Sequence, residues 1–128
     1  MSVPSDLKYT KEHEWIRVNG RAGAVGISQF AVDHLGDVVF VDLPQAGKTV
    51  KQFDVLASIE SVKAVSDIYA PASGKVTRVN SAVSAKPETV NADPYGEGWM
   101  VEIELADPAE LSALMPPADY ETHISDKK

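Results

Sequence analysis

Alternating apolar and polar positions along the chain predict a protein built mainly from short β-strands. Side chains in a strand point to opposite faces in turn, so an alternating segment predicts a strand with one buried face. Asn19-Gly20 separates two such segments and predicts a hairpin with a type I′ turn. Residues 38–41 are uniformly apolar, which is typical of a buried strand. The predicted strands cover residues 12–18, 21–27, 37–43, 50–59, 65–70, 76–79 and 99–105.

Capping residues predict short helices between the strands. Ser28 can cap a helix over residues 29–35, and Gly36 would end it. The segment 107–110 combines an aspartate cap, a proline at the first helical position and a glutamate three residues after the cap. Residues 119–124 are predicted to form one more turn of helix near the end of the chain.

A weak internal repeat suggests how the strands are arranged. Residues 41–56 and 68–83 each contain a Pro-x-x-Gly-Lys turn between two predicted strands. The two copies flank residues 57–67, which we therefore expect to lie between two similar half-sheets. Residues 80–98 contain several turn-forming residues and are predicted to form a loop. Many short strands joined by glycine and proline turns favour a barrel or sandwich over a fold of alternating strands and helices.

Composition and charge narrow the classes of function. The chain has 128 residues, which suits one domain, with a predicted core over residues 7–124 and flexible ends at 1–6 and 125–128. The formal net charge of −7 argues against a protein that wraps nucleic acid. The absence of cysteine excludes disulfides, thiolate nucleophiles and cysteine-bound zinc. No segment approaches the ~20 apolar residues that cross a membrane, and no signal peptide is visible, so a cytoplasmic protein of bacterial type is expected, with a mature mitochondrial form as the less favoured alternative.

The common motifs of nucleotide-binding proteins and hydrolases are missing. The sequence contains neither a phosphate-binding Gly-x-x-x-x-Gly-Lys-Ser/Thr loop nor a Gly-x-Ser-x-Gly elbow. Gly20, Gly23 and Gly26 are spaced by three but open no long helix, so we interpret them as close-packing positions. Trp15 and Trp99 each lie in an alternating strand and are predicted to fill the core.

The histidines and paired glutamates allow two interpretations each. His13, His34 and His123 lack the spacing of a metal site. We interpret His13 as a strand residue at a solvent-facing rim and His123 as incidental. His34, near a helix end, is either a surface imidazole stabilised by the helix dipole or a functional residue. Glu12 and Glu14 share one strand face, where they form either a general acid/base pair or, more commonly, a solvated surface.

One lysine stands between two regular apolar strands. Lys63 lies within residues 60–64, at the predicted tip of a hairpin whose strands would hold it outward. Its neighbours Ser61 and Ala64 are small, which leaves the amine accessible to a modifying enzyme. A lysine at a hairpin tip is ordinarily just a solvated surface residue, so this placement alone does not decide between the two interpretations.

Four separated motifs, in the same order, resemble those of the glycine cleavage H-protein family, and the resemblance covers roughly residues 7–124. The first stretch surrounds Glu14, the second begins at His34, the third is the Lys63 hairpin and the fourth ends with Trp99 and Met100. In sequence order they read Tyr9-Thr10-Lys11-Glu12-His13-Glu14-Trp15, His34-Leu35-Gly36-Asp37-Val38-Val39-Phe40-Val41-Asp42-Leu43-Pro44, Glu60-Ser61-Val62-Lys63-Ala64 with Ser66-Asp67-Ile68-Tyr69-Ala70-Pro71, and Asn91-Ala92-Asp93-Pro94-Tyr95-Gly96-Glu97-Gly98-Trp99-Met100.

The resemblance implies a covalent cofactor on the hairpin. Members of this family carry lipoate in amide linkage, which falls here on Lys63, and a separate lipoyl-attaching enzyme adds it. Glu60 resembles the acidic position that this enzyme recognises, and Ser61, Val62 and Ala64 complete the motif. The resemblance also implies a single lipoyl-domain-like fold, a barrel-sandwich hybrid of two small antiparallel sheets with short peripheral helices.

The resemblance further implies a carrier without catalytic activity of its own. The arm would take an aminomethyl group from glycine decarboxylase, a pyridoxal-phosphate enzyme, to the tetrahydrofolate-dependent aminomethyltransferase. Dihydrolipoyl dehydrogenase would then reoxidise it. Glu14, His34 and Asp67 resemble the positions that line a cleft for the loaded arm, where charge-assisted hydrogen bonds would hold its amine. A monomer is the natural expectation for such a carrier.

The Lys63 hairpin also allows other functional interpretations. A biotinyl carrier usually has methionine on both sides of its lysine, which Val62 and Ala64 do not match. The lipoyl domain of a 2-oxo acid dehydrogenase would usually be smaller, joined to flexible linkers and tipped Asp-Lys. A protein that relays lipoyl groups to such dehydrogenases would have the same attachment site. An enzyme in its own right is disfavoured, because no nucleophile, base and metal converge in the sequence.

Overall fold

The computed structural model describes residues 6–125 and contains two antiparallel β-sheets with short helices around them. Most of both predicted flexible ends, residues 1–5 and 126–128, lies outside the described residues. The strands are β1 Lys8–Tyr9, β2 Glu14–Asn19, β3 Ala22–Ile27, β4 Val38–Asp42, β5 Thr49–Val50, β6 Val55–Ser61, β7 Val65–Tyr69, β8 Gly74–Val79 and β9 Val101–Leu105. The helices are α1 Gln29–Leu35, α2 Ser81–Ala85, α3 Glu88–Ala92 and α4 Pro117–Ser125, with a 3-10 helix at Pro108–Ala113.

The two sheets enclose the core. The larger sheet has the order β1-β2-β3-β9-β8-β5, and the smaller one has the order β4-β6-β7. The main apolar cluster draws on both sheets and on the helices, which confirms the predicted mainly β fold of two small sheets. Among residues 6–125, no helix is long and apolar enough to cross a membrane.

The predicted repeat has a structural counterpart. In each copy the chain leaves the smaller sheet, passes a Pro-x-x-Gly-Lys turn and enters the larger sheet, as β4 to β5 and as β7 to β8. The two copies meet where β5 pairs with β8, with Val50 opposite Gly74. The N–H of Gly47 donates to the Val76 carbonyl at 2.7 Å, and the N–H of Val76 donates to the Lys48 carbonyl at 2.8 Å. The repeat therefore joins the two sheets at one edge.

A second, aromatic cluster fastens α4 and α1 to the larger sheet. Tyr9 and Tyr120 stack with ring centroids 4.3 Å apart. The buried Trp15 donates its indole N–H to the carbonyls of Ile27 and Pro94, each at 3.0 Å. Trp15 therefore fills the core as predicted. Trp99 is only half-buried, beneath the guanidinium of Arg78, and lies at the margin of this cluster.

The cap of α1 forms as predicted, whereas the capping box predicted at residues 107–110 does not form. Ser28 Oγ accepts the N–H of Ala31, and α1 ends before Gly36. Asp107 caps the 3-10 helix, but the carboxylate of Glu110 does not turn back to it. Glu110 instead accepts the backbone N–H and the hydroxyl of Ser73, at 2.7 and 2.8 Å. The glutamate therefore ties this helix to the turn before β8.

Three predicted elements differ from the structure. The predicted strand 50–59 is two strands in different sheets, separated by a turn in which Phe53 has φ +70°. The predicted loop 80–98 contains α2 and α3. The first hairpin turns through Gly20-Arg21, because Asn19 already pairs with Ala22. Of these two turn residues, Gly20 has positive φ and Arg21 does not. A type II′ turn has this requirement, whereas the predicted type I′ turn needs positive φ at both residues.

The close-packing interpretation of the strand glycines is correct for Gly23 and Gly26. A Cβ on Gly23 would lie 2.7 Å from Ile16 Cδ1, and one on Gly26 would lie 2.6 Å from the Trp15 ring. Gly20 instead serves the turn, and nothing lies within 4 Å of a Cβ built there.

Candidate functional site

The tip of the β6–β7 hairpin is held by its own hydrogen bonds. Glu60 and Val65 form the last strand pair, and residues 62–64 close the turn. The buried Ser61 is the centre of this turn. Its Oγ accepts the N–H of Ala64 at 3.1 Å and that of Lys63 at 3.4 Å, and its own N–H donates to the Ala64 carbonyl at 2.8 Å. A polar side chain facing inward thus fixes the loop that carries Lys63.

A second set of bonds fixes the tip to the rest of the domain. The N–H of Val62 donates to the Asp37 carbonyl at 3.0 Å. Asn91, on α3, accepts the N–H of Val38 and donates to the carbonyl of Gly36, both at 2.8 Å. The segment between α1 and β4 is therefore held on one side by α3 and on the other by the hairpin. The sequence analysis quoted Asn91 within a motif but missed this structural role.

Lys63 is exposed at the tip, and its stem lies beside the end of α1. A Cβ built on Gly36 would lie 3.6 Å from Lys63 Cε. Among the described residues, the ion pairs are Arg17 with Asp6 and Arg78 with Glu102, so no carboxylate neutralises the Lys63 ammonium. The amine is thus reachable and forms no ion pair with any of residues 6–125.

A cleft of about 330 Å³ lies between α1 and the outer edge of β7, and it contains His34 and Asp67. His34 stands two residues before Gly36 and therefore near the stem of Lys63. Its Nδ1 lies 3.0 Å from the Phe30 carbonyl, which can only accept, so Nδ1 carries the proton and Nε2 of a neutral ring can accept. The lining residues are Glu12, His13, Ile27, Ala31, His34, Leu35, Val65, Ser66, Asp67, Ile68 and Tyr69.

Glu14 lies in an adjoining groove of about 470 Å³, which Glu12 and Tyr69 share with the first cleft. Its carboxylate accepts the hydroxyl of Thr10 and, at 3.1 Å, the backbone N–H of Tyr69. Glu14 is only 1% exposed, so the interpretation as part of a solvated strand face is wrong for this residue. Burial raises its pKa to about 7, and the charge of nearby Glu12 acts in the same direction, whereas the two hydrogen bonds oppose the rise.

The three predicted cleft residues are therefore divided between two cavities. His34 and Asp67 line the cleft beside the hairpin, and Glu14 lies at the next groove along β7. Tyr69 connects the two, because it lines both cavities and binds Glu14 through its backbone N–H. A cationic group in this region would meet the carboxyl groups of Glu12, Glu14 and Asp67 and the imidazole of His34, with His13 at the rim.

His13 and His123 belong to the aromatic cluster. His13 Nδ1 lies 2.9 Å from the Tyr120 hydroxyl, and its ring lies 4.7 Å from that of Phe30. His13 is half-buried and lines the rim of the cleft, in agreement with the rim interpretation, but it precedes β2 with φ +79° and is not the strand residue that was predicted. His123 Nε2 donates to the Lys11 carbonyl at 3.0 Å, so it fastens α4 to the chain before β2 and has a structural role that the sequence did not indicate.

Comparison with known proteins identifies the family. The family model described as glycine cleavage H-protein matches residues 7–127. The glycine cleavage system H protein of Symbiobacterium thermophilum is 58% identical over 120 residues, 94% of each chain. That of Anaeromyxobacter sp. (strain K) is 51% identical over the full length of both chains. The crystal structure of a glycine cleavage system H protein from Mycobacterium marinum has 39% identity and a TM-score of 0.88, covering 96% of this chain and 99% of that one. The chain belongs to the glycine cleavage H-protein family.

Proposed function

We propose that this chain carries lipoate in amide linkage on Lys63 and acts in the bacterial cytoplasm as the carrier of the glycine cleavage system. The observation that carries the proposal is the Lys63 amine, exposed on a tip that Ser61 and the Asp37 carbonyl hold rigid, in a chain of this family. The lipoyl group would supply the reactive disulfide with which the carrier serves glycine decarboxylase, aminomethyltransferase and dihydrolipoyl dehydrogenase in turn. The chain itself would present the arm and catalyse nothing.

The residues around Lys63 fit such an attachment. Glu60 is exposed on the outer face of β6, next to the buried Ile59, and is available to a lipoyl-attaching enzyme. Ala64 adds little bulk beside the amine. Acylation would also remove the Lys63 charge, so the formal net charge would change from −7 to −8.

The neighbouring cleft fits a loaded arm. It begins beside the Lys63 stem at Gly36 and contains the polar groups of His34 and Asp67, with Glu14 in the adjoining groove. An amine at the end of the arm would be held by charge-assisted hydrogen bonds to these groups. Because burial raises the pKa of Glu14 to about 7, we expect this carboxyl to hold a cation more strongly above pH 7 than below it.

The first experiment tests attachment. The chain is incubated with a lipoyl-attaching enzyme, lipoate and ATP, and its intact mass is measured before the modified peptide is mapped. We expect one lipoyl group on Lys63, none on Lys63→Arg, and full modification of Lys48→Arg, a matched control because Lys48 is also an exposed turn lysine. Absence of modification, under conditions that modify a control carrier, would exclude the proposal.

The second experiment tests the role of the carrier. The lipoylated chain is added to glycine decarboxylase, and the exchange of labelled CO₂ into glycine is measured with and without it. We expect exchange to require both the chain and its lipoyl group. A lipoylated chain that supports no exchange, but passes its lipoyl group to a 2-oxo acid dehydrogenase domain, would instead establish the relay function.

A further inference from the structure

Exposed apolar side chains are concentrated around the hairpin tip. Among residues 6–125, seven large hydrophobic side chains are markedly exposed, and four of them surround Lys63. These four are Val39, Phe40, Val62 and Val65, which we call the hairpin patch. Single exposed hydrophobic residues are ordinary, whereas a contiguous group beside a candidate reactive residue indicates an interaction surface.

A β-bulge creates much of this patch. Val38 pairs with Ser61 and Phe40 pairs with Glu60, so the register shifts between them and an extra residue enters β4. Val39 and Phe40 consequently both face outward, with 49% and 53% of their surface exposed. The predicted burial of this apolar run is therefore wrong for its two central residues.

The pairing of the strands places the patch directly beside the tip. Phe40 lies opposite Glu60, which lies opposite Val65, so these three side chains form one row across the outer face of the smaller sheet. Lys63 lies in the turn that joins the second and third positions of this row. Any protein that accepts the Lys63 side chain must therefore come close to Phe40 and Val65.

The ionisable residues on the strands of this face are acidic. Asp42, Ser58 and Asp67 form the next row across the sheet, behind the row that contains Glu60. In β4, β6, the turn and β7, Lys63 is the single basic residue. Its charge disappears on acylation, which would leave the strands of this face with carboxylates and no basic residue; Lys48, in the turn before β5, lines the groove beside Asp42 and Asp67.

We propose that the hairpin patch is a docking surface for an enzyme face that presents an apolar socket bordered by lysine or arginine. The proposal rests on the proposed function, since the docking enzyme is one that acts on the Lys63 arm. Charge complementarity selects this occupant. A second copy of the chain would bring Glu60, Asp42 and Asp67 against the same carboxylates, and like charges in one interface oppose association.

The test uses lipoylated chain and glycine decarboxylase as the probe. Intact mass first confirms the lipoyl group on each variant, and the KM for the carrier is then measured together with kcat. We expect Phe40→Ser to raise KM at least tenfold, because about half of a phenylalanine surface would no longer be buried on docking. Val65→Ser should raise KM several-fold. The kcat of Phe40→Ser should change less than twofold, since Phe40 takes no part in the chemistry and is not in the lining of the cleft, to which Val65 belongs.

Val55→Ser is the matched control, because Val55 is 47% exposed on the same sheet at the end of β6 away from Lys63. Its KM should stay within twofold of the unsubstituted chain, and thermal melts should show that all three variants fold. The KM of the unsubstituted carrier should also rise with salt, because the basic border of the socket is screened.

Two results would overturn the docking surface. One is an equal KM for Phe40→Ser, Val65→Ser and Val55→Ser with a decarboxylase that the unsubstituted carrier serves normally. The other is a dimer in sedimentation that Phe40→Ser abolishes, which would assign the patch to a second copy. If Lys63 accepts no lipoate, the proposed function is wrong, but the docking surface can still be tested. Direct binding of the unmodified Phe40→Ser, Val65→Ser and Val55→Ser chains to the decarboxylase then replaces the comparison of KM values.

Discussion

Replacement of Glu14 by glutamine should remove a pH dependence from the stability of this protein. Glu14 is 1% exposed and has no cationic partner among the hydrogen bonds and ion pairs of the described residues. Its ionised form is therefore poorly solvated in the folded state, whereas water solvates it fully in the unfolded chain. Glutamine has almost the same shape and cannot ionise, so the two proteins differ mainly in this titration.

The sign and size follow from the two pKa values. The pKa of Glu14 is about 7 in the folded protein, against an ordinary value of 4.5. Below pH 4.5 the carboxyl is protonated in both states and costs no stability. As the pH rises, the unfolded chain loses its proton first, and above about pH 7 the folded state is penalised by about 3 kcal/mol, at 1.36 kcal/mol per pKa unit.

Glutamine carries a separate cost that does not change with pH. Both the Thr10 hydroxyl and the Tyr69 N–H donate to the Glu14 carboxylate, and glutamine offers a single acceptor oxygen. One donor then loses its partner, which costs about 1–2 kcal/mol. Glu14→Gln should consequently be less stable than the unsubstituted chain at low pH and at least as stable above pH 7.

Urea denaturation at several pH values between about 4.5 and 8.5 measures this directly. The quantity of interest is the difference in the free energy of unfolding between the unsubstituted chain and Glu14→Gln at each pH. Glu104→Gln, at an exposed strand position, is the control and should give a nearly constant difference. A constant difference for Glu14→Gln as well would show that this carboxyl is ionised normally, and the argument from burial would be wrong.

Two further predictions concern the hairpin and the junction of the sheets. Ser61→Ala removes the hydroxyl that fixes the tip, so lipoylation of Lys63 should slow about tenfold while urea denaturation shows a loss of only about 1–2 kcal/mol. Gly74→Ala places a Cβ 2.2 Å from the Glu104 carbonyl oxygen and should destabilise by more than about 3 kcal/mol. At Gly47→Ala the new Cβ would meet open space, and only the positive φ disfavours alanine, so we expect a loss of about 1 kcal/mol in the free energy of unfolding. Equal losses of stability for Gly74→Ala and Gly47→Ala would contradict the steric argument.

The elements that the sequence predicted well depend on local interactions. The helix α1 has the predicted bounds because Ser28 and Gly36 act within one helical turn of its ends. The Lys63 hairpin was found for the same reason, since two apolar strands and a short turn define it. The prediction of one strand over residues 50–59 was wrong, because residues 51–54 contain neither glycine nor proline to mark the turn that lies there. That turn is set by distant contacts, such as the hydrogen bond from the Phe53 N–H to the Ala70 carbonyl.

The burial of Glu14 and the exposure of Phe40 were both predicted the wrong way round. Alternation favoured a solvated Glu14, but Thr10, four residues before it, and Tyr69, 55 residues after it, enclose its carboxylate. An apolar run favoured a buried Phe40, but a bulge turns it outward. Neither feature is visible in a local pattern, because the Tyr69 contact and the bulge in β4 both depend on which strands lie next to each other.

Both reversals cost free energy, since one buries an ionisable group and the other exposes an aromatic ring. Such costs are tolerated where a site needs them. Glu14 lies on β2 and Phe40 on β4, and strand β7 reaches both regions. Strand β7 meets the hairpin patch at Val65, borders the cleft at Asp67 and binds Glu14 at Tyr69. A single rigid strand thus places the docking row, the cleft and the buried carboxyl at successive positions leading away from Lys63. Val65 belongs to both the patch and the cleft, whereas Phe40 belongs only to the patch and Asp67 lines the cleft, so substitutions of Phe40 and Asp67 should change docking and retention of the amine separately.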